Sequence, residues 1–213
     1  MKIAKLLGFV LLLMGLSACS QKEDRLPFYN TPDFTALWLE PGDAGYDQIH
    51  TIPAFSFTDQ LGNNVSNKTT VGKIYVANFF FASCKNICPA MMDNLNRVQQ
   101  AFKSNKDVLI LSHSVTPLKD DVAALRKYAN QLHINNKRWH LLTGDRDATY
   151  KLARQAYFAD EASGFEKKPD EFLHTENVVL IDTKGRIRGV YNASLAVEID
   201  MLIEDIKRLE KEI

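Results

Sequence analysis

Cysteine is scarce in this chain, with three residues in 213, at positions 19, 84 and 88. A domain stabilised by structural disulfides would carry more than one candidate pair, so a disulfide scaffold is excluded. Neither sign of charge is in excess: 26 Lys and Arg balance 26 Asp and Glu. A nucleic-acid surface needs concentrated positive charge, so no nucleic-acid partner is expected. Internal repeats and low-complexity tracts are absent from the sequence.

Long apolar runs are also lacking, apart from one at the start. Lys2 and Lys5 precede an almost wholly apolar stretch at residues 6–16, too short for a comfortable membrane-spanning helix. Leu16-Ser17-Ala18-Cys19 then has the form of a lipobox, where cleavage precedes the cysteine and a lipid is attached to it. The expected organisation is a signal peptide at 1–18, a tether and lead-in at 19–47 anchored through lipidated Cys19, and one folded domain at 48–213. Such a chain is exported and membrane-anchored, facing the periplasm or the cell exterior, where disulfides can form.

Pro27, Pro32, Pro41, Gly42 and Gly45 break the lead-in, while Phe28, Tyr29, Phe34 and Trp38 are apolar enough to pack on the domain. Residues 54–58 alternate with period two before a turn-like stretch at 59–64, which predicts a hairpin. Residues 74–81 form a near-continuous apolar run, the pattern of a strand buried on both faces. Met91, Leu95, Val98 and Phe102 recur at helical spacing, followed by a buried strand at 108–111. Val122, Leu125, Ala129 and Leu132 mark a second helix, 139–142 a short strand, and Leu152, Ala153, Ala156 and Tyr157 a third helix. Two strands at 177–181 and 186–191 flank a turn at 182–185, and Ile199, Leu202, Ile206 and Leu209 mark a closing helix. This order predicts an α/β fold: a central mixed sheet flanked by helices, with an N-terminal hairpin extension.

Cys84-Lys85-Asn86-Ile87-Cys88-Pro89 lies where the first buried strand gives way to a helix. With Cys19 assigned to the lipid, the two thiols have only each other or a metal as chemical partners. Ligand sites form at the carboxyl ends of such strands. Pro89 suits the first helical turn, whose positive end favours thiolate. The i,i+4 spacing predicts both sulfurs on one side of that turn. Two cysteines packing as small apolar residues is the plainer reading, and the strand-to-helix setting in an exported chain outweighs it. A lone dithiolate suits Cu(I), Zn(II) or redox work.

A third ligand would come from His50, His113, His133, His140 or His174. His133 ends a helix and is expected in solvent, His50 lies in the lead-in, and His140 sits within a short strand as a structural histidine. His113 follows a strand and can approach the same sheet edge. His174 stands immediately ahead of the 177–181 strand, after a polar stretch at 159–173 that is long for a connector. Two thiolates and an imidazole make a soft set that suits Cu(I), whereas structural zinc normally recruits a fourth ligand.

Several motifs, in order, resemble the Sco/SenC family. They are the lipoprotein start, residues 80–89 with both cysteines, Ser114-Val115-Thr116-Pro117, Trp139-His140-Leu141-Leu142-Thr143-Gly144 and Leu173-His174-Thr175. The likeness runs from about Ile52 to the C-terminus. It implies a thioredoxin-like fold and a copper-binding protein of cytochrome c oxidase assembly. Cys84 and Cys88 correspond to the family's copper cysteines and His174 to its distal histidine. The implied cargo is copper, as Cu(I) and with Cu(II) left open. The implied partners are the oxidase subunit bearing the binuclear copper A site, and another copper carrier or thiol reductant. This chain departs from the family where Thr116 replaces the usual acidic residue before Pro117, while Asp120 matches the second acid of that segment.

The resemblance points to a metallochaperone rather than an enzyme. The rival is a thiol–disulfide oxidoreductase using Cys84 and Cys88 as its catalytic redox pair to keep the oxidase's copper-site cysteines, or other exported thiols, reduced. Typical thioredoxins have one residue fewer between the cysteines and a proline where His174-Thr175 approaches the strand, so the substitution favours metal. The two activities are compatible, because copper loading requires the reduced dithiol. A peroxiredoxin-type peroxidase would need a threonine three residues before the reactive cysteine, where Phe81 stands. A purely structural lipoprotein leaves the thiols and His174 unexplained.

Overall fold

The computed structural model describes residues 25–159, 173 and 175–212, so Cys19 and His174 lie outside the described residues. A two-residue ladder comes first, β1 (Phe28–Tyr29) against β2 (Ala36–Leu37). The hairpin β3 (Ser56–Asp59) and β4 (Asn64–Ser66) follows, then the short helix α1 (Asn67–Thr70). Next come β5 (Ile74–Phe80), α2 (Ile87–Ala101), β6 (Val108–Ser114), α3 (Val122–Gln131), β7 (Trp139–Thr143) and α4 (Arg146–Lys151). After a π-helical turn at Leu152–Ala156, the chain ends with β8 (Asn177–Ile181), β9 (Ile187–Asn192) and α5 (Ala196–Lys211).

Seven strands form one mixed sheet in the order β4-β3-β7-β6-β5-β8-β9, with β5, β6 and β7 parallel and the other neighbours antiparallel. All seven residues of β5 are buried, because helices cover both faces. Ile74, Val76 and Phe80 join Leu95 and Val98 of α2, Leu125 of α3, and Leu202 and Ile206 of α5 in one core. Tyr75, Ala77 and Phe79 point the other way, into a second core with Leu152, Ala153 and Tyr157. Each large apolar side chain buried in this way contributes about 1.5–3 kcal/mol.

The order of elements and the mixed, helix-flanked sheet agree with the sequence, and four details correct it. First, β6 runs on to Ser114 rather than stopping at Leu111, and its polar end is fully buried. Ser112 tolerates burial because its hydroxyl donates to Asn78 Oδ1 at 2.6 Å and accepts from Trp139 Nε1 at 2.8 Å. Second, the third helix begins at Arg146, where Asp145 caps it by accepting from the Ala148 N–H at 2.8 Å. Third, the last strand starts at Ile187 and reaches Asn192. Fourth, Trp38 does not pack on the domain and is 61% exposed.

Two residues of the lead-in are fastened to the domain. Leu26 and Phe28 are buried, and the Leu26 N–H donates to Glu212 Oε1 at 2.7 Å. Arg188 lies 4.3 Å from the Phe28 ring centre, donates to Pro27 O at 3.0 Å and pairs with Glu212 at 2.6 Å.

Candidate functional site

After Phe80 the chain leaves the centre of the sheet in a turn, closed by the Cys84 N–H donating to Phe81 O at 3.1 Å. Helix α2 starts only at Ile87, because Asn86 ahead of it has non-helical backbone (φ −102, ψ −89). This corrects the expectation that both sulfurs lie on the first helical turn. Cys88 is the second helical residue and buried, Cys84 lies in the turn before the helix and is half-buried, and Pro89 is third in the helix. Both thiols are free, and each influences the other's ionisation.

The two thiols differ. Burial opposes the Cys84 thiolate, but hydrogen bonds from the Cys88 N–H and thiol and from the Asn86 and Ile87 N–H groups outweigh it, so its pKa lies below the ordinary thiol value. Burial pushes Cys88 up to about 12, with the neighbouring Cys84 sulfur adding to the rise. Cys84 therefore ionises first, and Cys88 keeps its proton as a donor. Tyr128 of α3 stacks on Phe80 with ring centres 5.7 Å apart. Burial, then the charges of Cys88, Cys84 and Asp120, push its hydroxyl up to about 12. The phenol stays neutral beside the thiols.

The histidines separate clearly. His113 is within β6 and faces the second core, stacked on Phe79 at 5.3 Å and edge-on to Phe57 at 5.1 Å. Cys88 belongs to the core on the opposite face. The expectation that His113 can approach the thiols' sheet edge is thus corrected: strand alternation turns its ring away. His140 Nδ1 donates to Asp59 Oδ2 at 3.1 Å as a structural group, while His50 Nε2 lies 2.7 Å from Ala156 O. His133 is exposed beyond α3.

His174 itself lies outside the described residues. Its neighbours Leu173 and Thr175 lead into β8, which runs antiparallel to β5 with Val178 opposite Asn78. The chain therefore enters β8 at the end of the sheet where β5 leaves for Cys84. Among the described residues, no group of three or more His, Cys, Asp and Glu side chains gathers to hold a metal.

A profile of the SCO1/SenC family matches residues 44–211. The chain belongs to the SCO1/SenC family. It is 31% identical over 163 residues to the SCO1 protein homolog of Bacillus subtilis, covering 74% of this chain and 82% of that one. The solved structure of BsSco, described as a Sco-family cytochrome c oxidase assembly protein with a disulfide switch, has a TM-score of 0.64 at 29% identity. That match covers 76% of this chain and 95% of BsSco. Bradyrhizobium japonicum ScoI, solved with copper bound, has a TM-score of 0.59 at 25% identity, over 75% of this chain and 99% of ScoI. The fold is the thioredoxin-like one of these proteins.

In this Sco-family chain the donors fit a soft monovalent ion. Two adjacent thiols, one ionising readily, offer sulfur to a single centre, and the surrounding wall is apolar, with Ile87, Phe80 and Phe81 in the same cluster. The sequence did not single out Tyr128 beside the thiols, and periodicity assigns it only to a helix. It also left Asp120 as a family match without a contact. That carboxylate is buried and accepts from the Ala82 N–H, two residues before Cys84.

Proposed function

We propose that this chain is a copper chaperone that holds copper through Cys84, Cys88 and His174 and delivers it to the copper A site of a cytochrome c oxidase. The carrying observation is the pair of free thiols, Cys84 in the turn after β5 and Cys88 at the start of α2, in a Sco-family fold. The position of β8 supports His174 as the third ligand, since the residues on either side of it enter the sheet at that same end. Relatives described with copper bound and as oxidase assembly proteins support the cargo and the recipient.

Delivery proceeds by ligand exchange. Recipient cysteines lose their protons as they bind the ion, His174 leaves, and Cys84 and Cys88 take protons back, so copper is never free. The chain is placed outside the cytoplasm, anchored by a lipid on Cys19 after removal of residues 1–18. Loading requires the reduced dithiol, so oxidation of the Cys84–Cys88 pair blocks it.

The test is Cu(I) titration of the reduced protein against a competing chelator, with His174→Ala alongside. One tight equivalent is expected, retained at least tenfold less well by the variant. No competitive binding would reject the chaperone and leave the thiol oxidoreductase as the reading. Equal retention by the variant would remove His174 from the ligand set.

A further inference from the structure

The turn after β6 is built around one carboxylate. Val115 N–H donates to Phe80 O at 2.9 Å, extending the β5–β6 pairing by one bond. The Lys119 and Asp120 N–H groups then both donate to Thr116 O, at 2.8 and 2.9 Å, which folds Asp120 back into the interior at 3% exposure. There Asp120 Oδ2 accepts from Ser114 Oγ at 2.6 Å, from Thr116 Oγ1 at 2.9 Å and from the Ala82 N–H at 3.2 Å. Ser114 Oγ accepts from the Thr116 N–H at 3.1 Å, so its own proton is committed to Asp120. Three donors thus converge on this single oxygen. The Ala82 bond fixes the chain one residue beyond Phe81, whose carbonyl receives the Cys84 N–H.

We propose that Asp120 is the positioning residue for Cys84, and that the Thr116 hydroxyl completes the clamp. Thr116 contributes what an acidic residue there cannot: an ionised carboxylate has no proton to donate, and it would set like charges together. The clamp holds the thiol loop in the dithiol geometry that copper loading uses. The inference rests on the reading of Cys84 as the exchanging thiol, and it concerns the loop whichever of metal or electrons is exchanged. Losing the clamp favours the other covalent state of the pair. In that exchange the dithiol gives two electrons and two protons to glutathione disulfide, yielding the Cys84–Cys88 bond and two glutathiones.

The experiment measures the glutathione equilibrium, Cu(I) retention against a chelator, and thermal melting for wild type, Asp120→Asn, Thr116→Val and Thr116→Ser. Asp120→Asn is expected to shift the equilibrium about tenfold toward the disulfide and to weaken copper retention by a similar factor, the scale of one hydrogen bond to a charged group. Thr116→Val should shift both in the same direction by about threefold, and Thr116→Ser should restore wild-type values. If Asp120→Asn fails to fold, the two Thr116 variants decide. Wild-type equilibrium and copper retention in a folded Thr116→Val, or a melting change with neither of them moved, would overturn the proposal. Failure of Thr116→Ser to rescue would do the same. If wild type itself holds no copper yet the glutathione equilibrium shifts as stated, the chaperone reading falls and the positioning role stands.

Discussion

His113 keeps both ring nitrogens without a hydrogen-bond partner among the described residues, in a shell of Phe55, Phe57, Phe79 and Tyr157. Burial lowers its pKa from 6.5 to about 3. The unfolded chain binds a proton at this ring below pH 6.5, and the folded chain does not until about pH 3. Stability therefore falls as pH drops through that window, by up to about 1.4 kcal/mol per pH unit, and is flat above it with respect to this group. His113→Phe removes the titration and fills the same aromatic shell. Urea unfolding at pH 7.5 and 5.0 should show the variant losing about 2 kcal/mol less than wild type on acidification. An equal loss in both would show that other groups carry the acid sensitivity. At this scale Cys84 and Cys88 are legible in the sequence, because scarcity and a strand-to-helix position leave them few roles. His113 and Asp120 are not, because their meaning lies in neighbours contributed by other strands and loops.

Among the elements, β9 carries a buried ion-pair fastening. Arg188 is buried with Glu212 on one side and Asp182 on the other, at 2.6 and 3.6 Å, and it also donates to Pro27 O at 3.0 Å. Arg188→Leu would leave the Glu212 carboxylate without its charged partner and remove the bond to Pro27 O, so that the lead-in is held at Glu212 by the Leu26 N–H alone. The expected cost is about 3 kcal/mol in urea unfolding, with Arg188→Lys intermediate because an ammonium lacks the planar guanidinium's fixed, widely spread donors. A cost below about 1 kcal/mol in Arg188→Leu would mean that Arg186, which also pairs with Asp182, carries the contact instead. Elements with a clear apolar pattern were legible: β5 as a near-continuous apolar run, α2 and α5 as apolar stripes. The polar end of β6 was not, since Ser112 is buried only because Asn78 and Trp139 satisfy its hydroxyl. Nor was the π-helical turn at Leu152–Ala156, whose apolar residues read equally well as α-helix.

At the scale of the whole molecule, the proposed ligands differ in how they depend on folding. Cys84 and Cys88 stay neighbours in the unfolded chain and can still hold Cu(I) there. As a third ligand, His174 would join them only through the pairing of β8 with β5. The stabilisation that copper gives the folded state thus reports the ligand that folding adds. Each tenfold tightening supplied by His174 is worth about 1.4 kcal/mol, or about 3–5 °C in the melting temperature of a domain this size. Calorimetry with and without one equivalent of Cu(I) should show a clear rise in wild type and a much smaller one in His174→Ala. Equal rises would mean that some other group closes the site on folding.

The pin between Leu26 and Glu212 has a consequence for traffic at the membrane. With a lipid on Cys19, six residues would separate the anchor from Leu26, the first buried side chain among the described residues. That leash reaches about 25 Å at full stretch. A protein so anchored would search by gliding in a thin layer, and would meet a recipient in that bilayer edge-on rather than by diffusion through the bulk. Lengthening the leash would trade that confinement for reach.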